Sequence, residues 1–281
     1  MHVRVRRPLT TRRSPRTAVG ALLAALSLLV ALPAAAQAAD HHSTVPERGS
    51  AYLGMGVVEH DGRAPAGPLH ADAEQTEGVD VASYQGNVDW AGLWNSGVRW
   101  AYTKATEGTY YQNEYFTQQY NGSYNVGMIR GSYHFATPDT TSGATQAQYF
   151  VAHGGGWSKD GKTLPGMLDI EWDPYGGDCY GLSQGAMVSW IQDFTTTYRS
   201  LTGRDPVIYT ATSWWTECTG NSGAFGSVNP LAIARYASDV GTLPAGWGFY
   251  TIWQYTSTGP IVGDHDHFNG ALDRVQALAN G

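Results

Sequence analysis

From Gly78 onward, short runs rich in Val, Ile and Tyr alternate with longer stretches whose apolar residues recur at helical spacing. The alternation persists over about 200 residues and limits the fold more than any other feature of the chain. Strands are expected over 79–82, 100–105, 128–135, 167–171, 207–210, 232–236 and 250–255. Helices are expected over 90–97, 113–124, 142–153 and 183–201, the last with Ser183 as N-cap and Gly203 just past its end. Strand followed by helix, repeated, gives a parallel sheet with crossover helices, either closed as a barrel or open. The polar residues favour closure. Asp80, Glu107, His134, Asp169, Glu171 and Asp264 each fall within or just after an expected strand or its turn. In an α/β barrel those ends converge on one face, where catalytic groups gather.

The N-terminal part has a different texture. Arg4, Arg6, Arg7, Arg12, Arg13 and Arg16 precede an apolar stretch from about Ala18 to Leu32, and Ala36-Gln37-Ala38 follows. These are the three parts of an export signal, so 1–38 is expected to be a signal peptide and the protein secreted and extracellular. The apolar run is shorter than the ~20 residues that span a bilayer, so no stable membrane association is expected. The Arg12-Arg13 pair leaves the export route, general or twin-arginine, open. Residues 39–76 carry Pro, Gly and scattered acids without a sustained hydrophobic period. They read as a linker or pro-segment, with Tyr52 to Val58 as the stretch suited to dock on the main body, and 77–281 is then the catalytic domain.

Loss of the signal peptide removes six of the 17 basic residues and no acid, leaving eleven against 24 and a formal charge of −13. Such a surface repels phosphate backbones, so nucleic acid is not an expected partner. Cys179 and Cys218 form an even pair in an exported chain, and one disulfide is the natural inference, with two free thiols or half a metal site as the alternative.

The most informative string is LPGMLDIEW. Side chains alternate along a strand, so Asp169 and Glu171 project to the same face. Two like charges at close range, partly shielded from water, favour a proton staying on one of them, which makes a general acid available near neutral pH. Glycosidic cleavage needs that pairing of a protonated acid with an ionised carboxylate. The plainer alternative is a polar strand end with both acids solvated. Asp80, in Gly78-Val79-Asp80-Val81, and Asp264, in Gly263-Asp264-His265-Asp266-His267-Phe268, bring further carboxylates to the expected ends. Tyr84, Tyr110, Tyr111, Tyr133, Trp172, Tyr209, Trp253 and Tyr255 cluster around the same ends. Each ring either packs in the core with its polar tip satisfied or stacks on a sugar face. An acidic, aromatic cleft suits a polysaccharide.

With these residues in view, the chain from Gly78 to Gly270 resembles the glycoside hydrolase family 25 muramidases, the lysozyme type of actinomycete secretions and phage endolysins. GVDVASYQG followed by KATEGTYYQN is similar to the family's N-terminal signature, and GSYHFA, LDIE, IWQY and DHDHFNG match its later landmarks in order. Thr103 departs from the signature, which has an aliphatic or aromatic residue there, and puts local packing in question. The resemblance implies a flattened, irregular TIM-like (β/α) barrel of eight strands with fewer helices than a regular one. It also implies cleavage of the β-1,4 bond between N-acetylmuramic acid and N-acetylglucosamine in peptidoglycan glycan strands. Glu171 is then the proton donor, Asp169 its partner carboxylate, and Asp80 and Asp264 the other two active-site acids. Lys104, Glu107, Tyr111, His134, Tyr209 and Trp253 fall where the family lines its substrate groove. Retention through the substrate's own acetamido group is implied, with Asp169 or Asp264 as direct nucleophile or base the competing route. A catalytically silent wall-binding module and a chitinase-like glycosidase stay open as alternatives.

Other signals are discounted. Residues 156–163 fit G-x(4)-G-K-[ST], but that loop needs a strand before it and a helix after it. Here a helix precedes and Leu164-Pro165 leads into a strand. Asp264-His265-Asp266-His267 is crowded on an extended stretch where alternate residues face opposite ways, so at best two could meet one metal. His41-His42 reads as solvated. No metal and no cofactor are expected, and a monomer is.

Overall fold

The structure is a computed structural model that describes residues 45–64 and 74–281; the expected signal peptide over 1–38 lies outside them. In chain order the elements begin with α1 (Val57–His60), β1 (Gln75–Val81), α2 (Trp90–Asn95), β2 (Trp100–Glu107), β3 (Tyr111–Gln112) and α3 (Phe116–Asn125). There follow β4 (Ile129–Phe135), α4 (Gly143–Phe150), β5 (Met167–Asp169), α5 (Gln184–Thr202), β6 (Val207–Ala211) and α6 (Thr212–Thr219). The chain ends with β7 (Leu231–Ala234), β8 (Ile252–Thr256), β9 (Asp264–Asn269) and α7 (Leu272–Asn280).

The sheet runs β1-β9-β8-β7-β6-β5-β4-β2, and β1 pairs with β2 to close an eight-stranded barrel, with β3 hung on β2 as a hairpin. Seven of the barrel strands are the ones expected from periodicity. The eighth, β9, is antiparallel to both its neighbours. Asp and His are poor strand formers, so Asp264-His265-Asp266-His267 carries little propensity of its own; pairing on both edges imposes the extended form. Because β9 runs backwards, its first residue and not its last sits at the mouth where the parallel strands end.

The fold is α/β and TIM-like, with no helix in the connections from β7 to β8 and from β8 to β9. Trp100, Tyr102 and Phe268 fill the barrel floor, Trp100 standing edge-on to both others. Gly78 and Gly131 make room for them, since a Cβ would lie 2.1 Å from the Trp100 ring and 2.4 Å from that of Tyr102. Outside the barrel, α5 buries Met187, Trp190, Ile191, Phe194 and Tyr198 against the sheet. Ser183 Oγ accepts from Ala186 N–H, and Gly203 ends the helix with φ +77°. A smaller apolar cluster on the opposite flank packs α2 over Val79, Val81 and Ala101. Thr103 is fully buried with its hydroxyl unpaired, a local packing cost at the position where the signature differs. Cys179 and Cys218 form a disulfide that ties the loop after β5 to α6.

Candidate active site

Strand register fixes the neighbours of each acid. Asp80 lies opposite Asp264 across β1–β9, Phe135 opposite Asp169 across β4–β5, Asp169 opposite Tyr209 across β5–β6, and Gln254 opposite Asp266 across β8–β9. Glu171 stands two residues past Asp169, just beyond the end of β5, where Ile170 N–H still donates to Tyr209 O at 3.0 Å. The alternation expected for Asp-Ile-Glu therefore holds, and the two carboxyls interact directly. All five carboxyls, Asp80, Asp169, Glu171, Asp264 and Asp266, are buried.

Burial is what most changes their chemistry. It lifts Glu171 to about 8, against hydrogen bonds from the backbone N–H groups of Gly54 and Gly56, with the Asp264 charge adding to the rise. Burial likewise raises Asp80 to about 7 and Asp264 to about 9, the latter helped by Asp80. Asp169 also goes well up, through burial and the Glu171 charge, and neither of its oxygens meets an N–H or O–H donor among the described residues. Such a cluster holds protons at neutral pH because too many like charges share too little water.

Gln254 organises the cluster. Its Nε2 donates to Asp80 Oδ2 at 2.8 Å and to Asp264 Oδ2 at 3.4 Å, while its Oε1 accepts from Tyr209 at 2.6 Å and Tyr236 at 3.0 Å. A buried cation nearby, Lys104, pairs with Glu107 at 2.6 Å, both side chains fully buried. Strict alternation would put residues three apart on opposite faces. A β-bulge between Lys104 and Thr106 restores both to the same face. Tyr111 borders this pair, with Lys104 Nζ 4.8 Å from its ring centre.

Two expected groove residues are not brought to the site. His134 points out of the barrel, where it bonds Thr106 Oγ1 at 2.8 Å and Gln146 Oε1 at 2.9 Å and packs on Phe150 and Phe194. Its neighbour Tyr133 takes the inward place, near Asp80 and Asp169. Trp253 also faces outward, donating to Arg235 O and standing against His267 and Tyr255, while Gln254 turns in. Inward and outward residues differ by one position, so a motif that marks the strand does not mark the face. Tyr133 belonged only to the expected aromatic cluster; Gln254, Tyr236 and Asp266 are inward residues left out of the expected site. The parity of Asp264 and the order within Ile-Trp-Gln-Tyr were the signals that could have found the first and last.

The acidic run on β9 divides as alternation requires. Asp264 and Asp266 face in, while His265 Nδ1 and His267 Nε2 reach Glu77 outside at 3.2 and 2.9 Å. Residues 156–163 follow α4 and lead through a bridge between Thr163 and Arg130 toward β5, the reverse of a phosphate loop's surroundings.

The mouth is not an open cleft. Asp264 borders a shelf shared with Tyr84, Gln85 and Ile261, and residues 49–56 lie over Glu107 and Glu171. A second concavity, between Val228, Phe249 and Arg274, lies at the far end of the strands and contains no carboxyl.

The family model described as glycosyl hydrolases family 25 matches residues 79–264. The chain is 43% identical to lysozyme M1 of Streptomyces globisporus, over 96% of each chain. It is 50% identical to the N,O-diacetylmuramidase of a Chalaropsis species, over 73% of this chain and 99% of the relative. The solved muramidase from Acremonium alcalophilum is 58% identical with a TM-score of 0.72, covering 73% of this chain and 99% of its own.

Proposed function

The chain belongs to glycosyl hydrolases family 25 and is a glycoside hydrolase, and from that premise we propose that it is a secreted muramidase cutting the β-1,4 bond between N-acetylmuramic acid and N-acetylglucosamine in peptidoglycan. The observation that carries the proposal is the placement of Glu171: buried among other carboxyls at the mouth of the barrel, where burial and the Asp264 charge favour its protonated form. A carboxylic acid so placed can give its proton to the glycosidic oxygen as the bond breaks, so that the leaving sugar departs as an alcohol and not as an alkoxide.

In the proposed reaction Glu171 protonates the leaving oxygen while the carbonyl oxygen of the substrate's 2-acetamido group attacks the anomeric carbon, forming a cyclic oxazolinium. Asp169, two residues away on the same face, accepts the acetamido N–H through its carbonyl oxygen and so orients the amide for attack. The Glu171 carboxylate then takes a proton from water, and the oxygen opens the ring at the anomeric carbon. Two inversions give net retention. Asp80 and Asp264, held by Gln254, bind sugar hydroxyls and set the electrostatics that keep Glu171 protonated. The likeness to proteins named lysozyme and N,O-diacetylmuramidase supports the substrate class. The Arg-rich leader and the Cys179–Cys218 disulfide support export. No helix among the described residues is long and apolar enough to cross a membrane. The protein is expected to act as a monomer without a cofactor.

Glu171→Gln tests the assignment. It should abolish release of reducing ends from purified cell walls while leaving wall binding largely intact; full turnover by this variant would refute Glu171 as the acid. Chitin, assayed in parallel, separates muramidase from chitinase activity, and the anomer released first, read by proton resonance, tests retention.

A further inference from the structure

Residues 45–64 do not trail away from the barrel. Gly54 N–H donates to Glu171 Oε1 at 2.5 Å and Gly56 N–H lies 3.4 Å from Oε2, so both oxygens of the acid are engaged by main chain of this segment. Glu107 accepts from Gly49 N–H at 2.8 Å, and Lys104 donates to Gly49 O at 3.0 Å and to Ala51 O. Leu53 is 1% exposed, its carbonyl 3.4 Å from Gln254 Nε2. One aromatic platform is covered too: His60 stacks on Trp172 with ring centres 3.8 Å apart and planes within 6°, while Tyr52 meets Tyr84 at 4.8 Å in a tilted contact that leaves Tyr84 exposed.

The fit depends on two glycines. Gly54 has φ +80°, and a Cβ there would stand 2.3 Å from Tyr236 Oη and 2.6 Å from Gln254 Oε1. At Gly56 a Cβ would meet Trp172 at 2.5 Å. A segment with no hydrophobic period of its own has thus been cut to the shape of the groove. An acid whose two oxygens are held by peptide N–H groups cannot reach a glycosidic oxygen, and His60, stacked on Trp172, occupies a place a sugar ring would take.

We infer that residues 45–64 are an inhibitor in cis that fills the substrate groove, and that the enzyme becomes active when the connection between Ala64 and Glu74 is cut and the segment leaves. The muramidases matched over 99% of their own length by 73% of this chain show that a body of that size stands as a folded unit. The inference rests on the muramidase reading above and adds its regulation.

The test uses the full chain with a specific-protease recognition sequence placed between Ala64 and Glu74, so that the barrel folds before it is cut. Cutting and removal of the released peptide should raise wall hydrolysis at least tenfold. Gly54→Val in the uncut chain should recover most of that gain, and a synthetic peptide of residues 45–64 should raise KM of the cut enzyme without changing kcat, whereas the same peptide carrying Gly54→Val should not. Equal activity before and after cutting, with the peptide shown by mass spectrometry to have left, overturns the inference. Absence of activity in the cut enzyme instead overturns the muramidase reading.

Discussion

Replacing Lys104 by Met leaves a charge stranded in a dry site. Lys104 and Glu107 are both fully buried and 2.6 Å apart. Glu107 would keep its donors Gly49 N–H, Tyr110 and Tyr175 at 2.6 to 2.8 Å, but no cation would balance it, and the carbonyls of Gly49 and Ala51 would lose the ammonium they share. Met nearly matches the lysine stem in volume, so the packing term is small and the electrostatic one dominates. Breaking one half of a buried pair costs about 3–5 kcal/mol. For a folded body of this size each 1 kcal/mol moves the midpoint by about 2–4 °C, so melting should fall by roughly 6–20 °C. Calorimetry at pH 7 with parallel urea titrations measures both quantities. Adding Glu107→Gln to Lys104→Met removes the stranded charge while keeping an acceptor for the tyrosines, and should recover at least half of the loss. A single variant that loses less than about 1 kcal/mol, or a double variant no better than the single, would refute the view that this pair is held by mutual compensation in the absence of water.

The unfolded chain releases carboxyl protons near 3.8 to 4.5, whereas the folded chain holds those of Asp80, Glu171 and Asp264 to about 7, 8 and 9. Their stability contribution is complete below the unfolded values and is lost as pH rises through the folded ones, with a slope of up to about 1.4 kcal/mol per pH unit for each. Opposing this, His134 is lowered by burial to about 4, and Glu77, against the effect of its own burial, is lowered to about 2 by hydrogen bonds from His265, His267 and Tyr255. These contributions fade as pH falls below 6.5 for the histidine and below 4.5 for Glu77. Melting should therefore be highest on the acid side of neutral and decline between pH 6 and 9; a flat profile there would contradict the buried-acid cluster. The Cys179–Cys218 bond joins residues 39 apart. On the chain-entropy account, Cys218→Ser with Cys179→Ser should cost about 4 kcal/mol in urea titrations, and a loss under 1 kcal/mol would show that the loop is already ordered without it.

How much of this was legible in the residues themselves depends on distance along the chain. Periods of 2 and 3.6 residues marked seven barrel strands and the long helix from Ser183 to Gly203, because alternation and capping are decided within a turn or two. They missed α6 and α7, the first because Thr212 follows β6 with no breaker and the second although Val275 and Ala279 lie four apart. Asp169 and Glu171 could be put on one face for the same local reason, and Asp264 and Asp266 opposite His265 and His267 likewise. Tertiary structure decided what alternation cannot say, namely which face turns inward once the sheet closes. It sent His134 and Trp253 out and brought Tyr133 and Gln254 in. A bulge reset the parity of Lys104 and Glu107, and pairing to two neighbours made a strand of poor strand formers and reversed it, so that Asp264 meets Asp80. Above all it laid Gly54 and Gly56 on Glu171, 117 and 115 residues away. No spacing encodes that contact. It arises because the barrel presents buried acceptors at its mouth, and only main chain freed of side chains at those two positions approaches closely enough to satisfy them.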